Sequence, residues 1–252
     1  MDRLKHHVHI ELTSSQITRG LSVAILFLVI AHIAYLFLRY GLGFDGLMGF
    51  GPLVDMWREH NIPNFYASMT LLFSALLLYL IGVSERQTGG RYTWHWLGMA
   101  AVFVFVSIDE MVMIHELTVK PLRTLLGTTG IFYFAWVIPY GIAMIVLGII
   151  YLRFFLSLAA HTRTLMTIAA VIYVGAVIGF EMISSVEYEK MVIAAGGQNF
   201  DDRTLLMDIY NLIEETLEML GVLVFIRALT DELARRQVQI GFSSARLDEA
   251  PL

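Results

Sequence analysis

Residues 94–117 read WHWLGMAAVFVFVSIDEMVMIHEL, a run of bilayer length in which the last nine positions include Asp109, Glu110, His115 and Glu116. About 20 apolar residues in an α-helix cross the hydrocarbon core of a membrane. An ionised side chain in that core costs several kcal/mol or more unless a partner or a bound ion compensates it. The segment therefore predicts a transmembrane helix that carries part of a functional site.

Two further apolar segments also contain carboxylates. Residues 179–185 read GFEMISS and include Glu181, and residues 213–220 read IEETLEML. Side chains three and four positions apart share one face of an α-helix, so Glu214, Glu215 and Glu218 are expected to form a narrow acidic face. Seven acids and a histidine in such segments indicate a bound cation, a proton path, or both.

The composition fits this interpretation. The chain has 252 residues, of which 57% are hydrophobic and 15% charged, whereas soluble domains average about 25% charged residues. It has no cysteine, which excludes disulfides, thiolate zinc sites, iron–sulfur clusters and covalently attached haem. The net charge is −5 and no basic block is present, so nucleic acid is not an expected partner.

Six segments have bilayer length, and we predict an all-α, six-helix transmembrane bundle. The predicted spans are residues 18–40, 65–83, 94–117, 131–155, 165–188 and 205–229. With six spans, eleven Lys and Arg residues lie on the side that holds both termini and six on the other side. Because Lys and Arg favour the cytoplasmic side, residues 1–17 are expected to be a cytoplasmic N-terminal segment and residues 230–252 a cytoplasmic tail.

This topology places the acids at a common depth. The third and fifth spans run outward and carry their acids in their outer halves, and the sixth span runs inward and carries its acids before its midpoint. At about 1.5 Å of rise per residue, the three groups lie in one layer beneath the outer face. No Lys or Arg lies in the outer halves of these spans, so protons or metal ions must balance the carboxylates.

Carboxylates with imidazole on a helix bundle are typical ligands of di-iron and di-manganese sites, and we predict one or two Fe, Mn or Zn ions. The expected ligands are Asp109, His115, Glu116, Glu181, Glu214, Glu215 and Glu218. Glu110 or Glu215 is expected to act as general base. In a continuous third span, Asp109 and Glu116 are seven residues apart and both point inward, and Glu110 and His115 flank them on opposite sides.

Several other polar residues have a predicted place. His32 of the first span lies at a similar depth and is a possible additional ligand, although a hydrogen-bonded core histidine is the commoner case. Asn61 and Pro63 are expected to cap the second span and to hold Glu59, a second possible ligand, over the site. Five acids are expected to form a solvated outer rim: Glu187, Glu189, Asp201, Asp202 and Asp208.

The preferred function is a metal-dependent membrane enzyme, a hydrolase or oxidase, that acts on a lipid-soluble substrate. One alternative is a cation or proton-coupled transporter that uses the same acids, against which stands the lack of a recognisable interrupted helix. Another is a non-catalytic subunit with a structural metal. An acidic vestibule without a bound ion would explain the acids as solvated groups. A b-type haem on His32 and His115 would leave the acids unexplained and is disfavoured.

The expected location is a bacterial-type inner (plasma) membrane, with the site toward the outer face and the lipid bilayer as the main partner. Six spans make a small unit for a transporter, so a homo-oligomer is compatible with the sequence. The identity of the metal and of the substrate stays open at this point.

Overall fold

The computed structural model describes residues 12–44, 49–196 and 203–239. Every secondary-structure element in these ranges is helical, and no strand occurs there. The all-α prediction is confirmed. The predicted cytoplasmic N-terminal segment and tail lie largely outside the described residues, as do Asp201 and Asp202.

The helices follow one another through short connections. In chain order the elements are α1 (Ser14–Leu36), a π-helical turn (Phe37–Gly41), α2 (Gly51–Val54), α3 (Ile62–Gln87), α4 (Thr93–Val112), α5 (Ile114–Leu126), a 3-10 turn (Gly130–Phe132), α6 (Val137–Ser157), α7 (Ala160–Val174), a π-helical segment (Gly175–Phe180), α8 (Glu181–Ala194) and α9 (Leu205–Arg235). The hydroxyl of Thr13 and the side chain of Asn61 cap α1 and α3 by accepting backbone N–H groups of their first turns, as expected for the Asn61 position.

Five segments of the described chain are long and apolar enough to cross a membrane. This indicates a membrane protein. They are Ser14–Gly41, Ile62–Gln87, Thr93–Val112, Val137–Ser157 and Ala160–Ala194. Helix α9 has 31 residues but is not one of the five, because its acidic residues lower its apolar character. Large aliphatic side chains such as Ile145 and Ile149 of α6 point outward, which suits a helix in contact with lipid.

The long helices alternate in direction. The hydroxyls of Ser14 and Thr230 are 2.6 Å apart at one end of α1, and Tyr40 donates a 2.7 Å hydrogen bond to Asp208 at the other. One end of the bundle, here called the termini end, therefore holds the beginning of α1 and the end of α9. The opposite end, here called the acidic end, is formed by the ends of helices at residues 41, 62, 112, 137, 194 and 205.

The core lies toward the termini end, where α9 packs against α1, α3 and α7, and α3 packs against α4. Gly82 and Gly221 allow two of the close approaches between helices. A Cβ on Gly82 would lie 2.7 Å from Leu97, and one on Gly221 would lie 2.9 Å from the backbone nitrogen of Tyr173. The contact at Gly221 fixes α9 against α7 close to Glu218. The packing thus determines how the acidic face of α9 meets the other helices.

Two of the predicted spans depart from regular α-helix beside their acids. Helix α4 ends at Val112, and Met113 adopts a left-handed conformation with φ 56° and ψ 49° before α5 begins. In the predicted fifth span, a π-helical segment over Gly175–Phe180 immediately precedes Glu181. The continuous third span predicted from the sequence is wrong at Met113, whereas the fifth span remains one helical segment over Ala160–Ala194 that contains a π-helical stretch. Left-handed backbone in a non-glycine residue and π-helical segments both occur preferentially at functional sites.

Candidate functional site

The acids of three predicted spans lie in the acidic half of the bundle. Asp109 and Glu110 end α4, Glu181 begins α8, and Glu214, Glu215 and Glu218 lie in the first half of α9. His115 and Glu116 lie on the first turn of α5, after the break at Met113. The common depth inferred from the sequence therefore corresponds to one end of the folded chain.

After the break at Met113, the first turn of α5 contacts the end of α4. One oxygen of Asp109 accepts the backbone N–H of His115 at 2.9 Å, and the other lies 3.2 Å from His115 Nδ1. Asp109 is buried, whereas Glu116 is exposed. The continuous-helix argument that aligned Asp109 with Glu116 is wrong because the helix does not continue. His115 is the partner of Asp109.

Aromatic side chains surround this aspartate–histidine pair. The His115 ring lies 4.9 Å from the ring of Trp136 and 6.3 Å from that of Tyr140, centroid to centroid. The Tyr140 hydroxyl is a further hydrogen-bonding neighbour of Asp109. A histidine fixed by a carboxylate through Nδ1 presents Nε2 to a ligand, which is the usual arrangement of a metal-binding or proton-carrying imidazole.

Asn64 of α3 connects two further acids. Its Nδ2 lies 2.8 Å from the backbone oxygen of Glu110, 3.1 Å from Glu110 Oε1 and 3.5 Å from Glu59 Oε2. Asn61 places Asn64 here by accepting its backbone N–H at 2.7 Å. Glu59 is exposed, but the protein around its carboxyl raises the pKa of Glu59 above its ordinary value. The loop before α3 therefore brings Glu59 next to Glu110, as the cap at Asn61 predicted.

Glu181 is oriented by an indole. Trp136 Nε1 donates a 2.7 Å hydrogen bond to Glu181 Oε1. Trp136 also contacts His115, so it links the acid of α8 to the aspartate–histidine pair. The segment before α6 is further tied to α8, because the backbone N–H of Phe134 donates to Ser185 Oγ at 3.2 Å and that of Gly130 donates to Glu189 at 2.6 Å.

The acids of α9 face those of α4 and α8. Glu214 is buried, and Glu215 and Glu218 are half-buried. Glu215 interacts electrostatically with Glu110, Glu59 and Glu181, and Glu218 interacts with Glu215, Glu110 and Glu214. The phenol of Tyr173 interacts with the same group of carboxylates. The acidic face predicted for α9 is therefore turned toward the acids of α4 and α8 and not toward lipid.

The seven acids predicted as site residues, here called the acidic cluster, are Asp109, Glu110, Glu116, Glu181, Glu214, Glu215 and Glu218. Among the described residues, no Lys or Arg forms an ion pair with any of the seven acids predicted as site residues. Their hydrogen-bond partners include His115, Asn64 and Trp136, which are neutral or titratable. No group of three or more Asp, Glu and His side chains in the described ranges is already gathered as for a metal ion. The donors are instead held in pairs at the same end of the bundle.

His32 is a core histidine that anchors the loop before α3. Its Nδ1 lies 3.1 Å from the backbone nitrogen of Met56 and 3.2 Å from the backbone oxygen of Val54. The ring is fully buried, and its Nε2 has no hydrogen-bond partner in the described part of the chain. His32 thus positions the segment that carries Glu59.

A buried ion network next to this loop was missed by sequence reasoning. Arg203 lies 2.6 Å from Asp55 and 2.6 Å from Asp208, and all three side chains are buried. Asp208 also accepts the hydroxyl of Tyr40. The expectation that Asp208 belongs to a solvated rim is wrong, because the start of α9 packs under the loop at Asp55. Glu187 does lie at the surface, paired with Lys190 at 2.7 Å.

Comparison with known families covers most of the chain, since one family model matches residues 20–233. The chain belongs to the family described as a domain of unknown function (DUF8692). The match extends over the whole bundle from α1 to α9, including all predicted site residues. No curated protein and no solved structure matches the chain.

The partners of the acids were not identified from the sequence. Asn64, Trp136, Tyr140 and Tyr173 each look like ordinary helix or interface residues in a linear pattern. Asn64 could have been found from its place three residues after the capping Asn61. The contributions of Trp136, Tyr140 and Tyr173 depend on how α6 and α7 pack, and no local signal indicates them.

Proposed function

We propose that this protein is a membrane metalloenzyme whose acidic cluster binds one or two divalent metal ions. The observation that carries the proposal is that seven carboxylates and His115 from α4, α5, α8 and α9 lie at one end of the bundle, where no Lys or Arg of the described residues forms an ion pair with them. Metal ions would neutralise these groups, and Asp, Glu and His donors suit Fe, Mn or Zn.

The site residues proposed as ligands keep the set derived from the sequence. They are Asp109, His115, Glu116, Glu181, Glu214, Glu215 and Glu218. Asp109, which is paired with His115, and Glu181, which is bonded to Trp136, would close around an ion by rotation of their side chains. Glu110 is not in this set, and its contact with Asn64 leaves it available as a general base. A bound metal would supply an activated water or a site for dioxygen.

The topology proposed for the membrane has six spans, with residues 205–229 of α9 as the sixth. The acids of α9 face the other helices, so the apolar residues of α9 can contact lipid and the core. Both termini are placed in the cytoplasm because most Lys and Arg residues lie at the termini end. The acidic end then faces outward, in a bacterial-type inner membrane, and a lipid-soluble substrate would approach laterally. Fusion of a reporter to the C-terminus tests this directly, since an external reporter would overturn the orientation.

Thermal unfolding in detergent tests cation binding. A ligand that binds the folded protein stabilises it by about 2.7 kcal/mol at one hundred times its dissociation constant. We expect Mn²⁺ or Zn²⁺ to raise the melting temperature of the wild type but not of the double variant Glu181→Gln, Glu218→Gln. The surface variant Glu187→Gln is the matched control and should respond like the wild type. An equal response of all three proteins would contradict the proposal.

A second candidate function is cation or proton-coupled transport, and the helix break at Met113 favours it. Interrupted helices beside intramembrane acids are common in transporters, where they expose backbone groups to the ion. The two functions differ in turnover and in affinity. Reconstituted protein that moves protons or Mn²⁺ across a vesicle membrane, and binds the cation only weakly, would favour transport over the enzyme.

A further inference from the structure

A cavity of about 580 Å³ opens at the acidic end, and its walls are formed by Pro52, Leu53, Trp57, Arg58, Glu59, His60 and Arg203. It lies on the loop between α2 and α3, above the acids of α4 and α9. Glu59 is the wall residue that also contacts the acidic cluster, through Asn64. The cavity therefore adjoins the cluster at one defined point.

The side-chain oxygen of Asn64 accepts no hydrogen bond from the described residues. The residue is 6% exposed, and its Nδ2 donates hydrogen bonds to Glu110 and Glu59. Its Oδ1 is buried and has no hydrogen-bond partner within the described residues. An unpaired buried carbonyl is costly. A bound cation would satisfy this oxygen while the amide N–H groups keep their bonds to Glu110.

Two cationic side chains, Arg58 and Arg203, lie on the cavity wall, and the buried carboxylates of Asp55 and Asp208 offset their charges. The guanidinium of Arg203 is held 2.6 Å from both Asp55 and Asp208, so its charge is more than balanced by the two buried carboxylates. Arg58 also lies 3.4 Å from Asp55. The local charge that remains is that of Glu59. The same ion pairs fix the loop, which keeps Glu59 and Asn64 in register with Glu110.

We propose that this cavity is the entrance to the acidic cluster and that Glu59, Asn64 Oδ1 and Glu110 form an entry site for a hard divalent cation. Carboxylate and carbonyl oxygens are the ligands that Mg²⁺, Ca²⁺ and Mn²⁺ prefer. From Glu110 the cation passes to Glu215 and Glu218, which interact with Glu110 electrostatically. The inference rests on the proposed function, because it assigns a route to the same cluster.

Single-cysteine labelling tests the entrance without assuming that any metal binds. The chain has no cysteine, so Glu59→Cys and Glu110→Cys each create one reactive thiol. A membrane-impermeant, cationic thiol reagent is expected to label both positions. Ser74→Cys, on the buried face of α3 and away from the cavity, is the control and should not react. Adding Leu53→Trp at the cavity wall should slow the labelling of Glu110→Cys at least about tenfold. Absence of labelling at Glu59→Cys or Glu110→Cys would overturn the proposed entrance. A labelling rate of Glu110→Cys that Leu53→Trp leaves unchanged would overturn it as well.

The rate of Mn²⁺ uptake tests the entry site and separates it from the proposed function. A negative charge at an entrance raises association rates about 10- to 1,000-fold. We expect Glu59→Gln to take up Mn²⁺ at least about tenfold more slowly than the wild type. Equal rates would overturn the entry site and leave the metal cluster standing. A wild type that never binds Mn²⁺ would overturn the proposed function and the entry site together.

Discussion

Asp109 and His115 face each other across a helix break, with both carboxylate oxygens of Asp109 within 3.2 Å of nitrogens of His115. The pair exists because Met113 turns the chain, so that a residue six positions later returns to the end of α4. In a continuous helix, positions six residues apart point in different directions. The break is thus the feature that makes an imidazole available to the acidic cluster.

Removal of the carboxylate from this pair should weaken cation binding. Asp109→Asn keeps the size of the side chain but loses the charge that orients His115, and such partners change metal affinity about 10- to 100-fold. We expect the affinity for Mn²⁺ to fall by about that factor, as measured by titration calorimetry. Glu187→Gln removes a surface acid instead and should leave the affinity unchanged. An Asp109→Asn protein with wild-type affinity would remove the pair from the site.

Loss of Arg203 should strongly destabilise the fold. Arg203→Met would leave Asp208 buried without a cation and Asp55 with only the partly exposed Arg58 at 3.4 Å, and breaking a buried pair in this way costs about 3–5 kcal/mol. Lys190→Met is the matched control, since its pair with Glu187 is exposed and such pairs contribute about 0–1 kcal/mol. Unfolding free energies in detergent measure both changes. Losses of similar size in the two variants would show that the Arg203 network does not support the loop.

The glycine at the α7–α9 contact should not tolerate a methyl group. Gly221→Ala would place Cβ 2.9 Å from the backbone nitrogen of Tyr173, and overpacking of this kind costs about 1–3 kcal/mol. Gly148→Ala on α6 meets no atom within 4 Å and should stabilise its helix by up to about 1 kcal/mol. Melting temperatures of the two variants should therefore move in opposite directions. A Gly221→Ala protein as stable as the wild type would contradict the close packing of α9 against α7.

Acidic pH should destabilise the termini end of the bundle, because it protonates Glu232. Burial alone would raise the pKa of Glu232, but hydrogen bonds from Arg235, Arg236 and Thr162 outweigh burial and hold the pKa below its ordinary value. A carboxyl whose pKa is lowered by folding contributes stability above its ordinary value, and loses it as the pH falls through the lowered value.

The melting temperature of Glu232→Gln, followed from pH 7 to pH 3, checks this contribution. The wild type should be the more stable protein at neutral pH, and the difference should shrink as the pH falls below the ordinary carboxyl range. Glu187→Gln, which alters a surface pair, should follow the wild type at every pH. A gap between wild type and Glu232→Gln that stays constant with pH would rule out the ionised carboxyl as its cause.

The apolar helices and the acidic layer could be predicted because both depend on local composition. Length and hydropathy mark the helices, and the alternation of direction then brings Glu181 and Glu218 to the same end. The break at Met113 could not be predicted, since methionine favours helix and neither Gly nor Pro marks the turn. The burial of Asp208 was also missed, because its partner Arg203 pairs with Asp55, a residue nearly 150 positions away.

Metal content of the purified protein tests the central claim most directly. The full chain, purified in detergent and dialysed extensively, would be measured by inductively coupled plasma mass spectrometry beside Glu181→Gln, Glu218→Gln. The account predicts about one or two equivalents of Fe, Mn or Zn in the wild type and their loss from the double variant. A wild type without retained metal, or equal metal in both proteins, would contradict it.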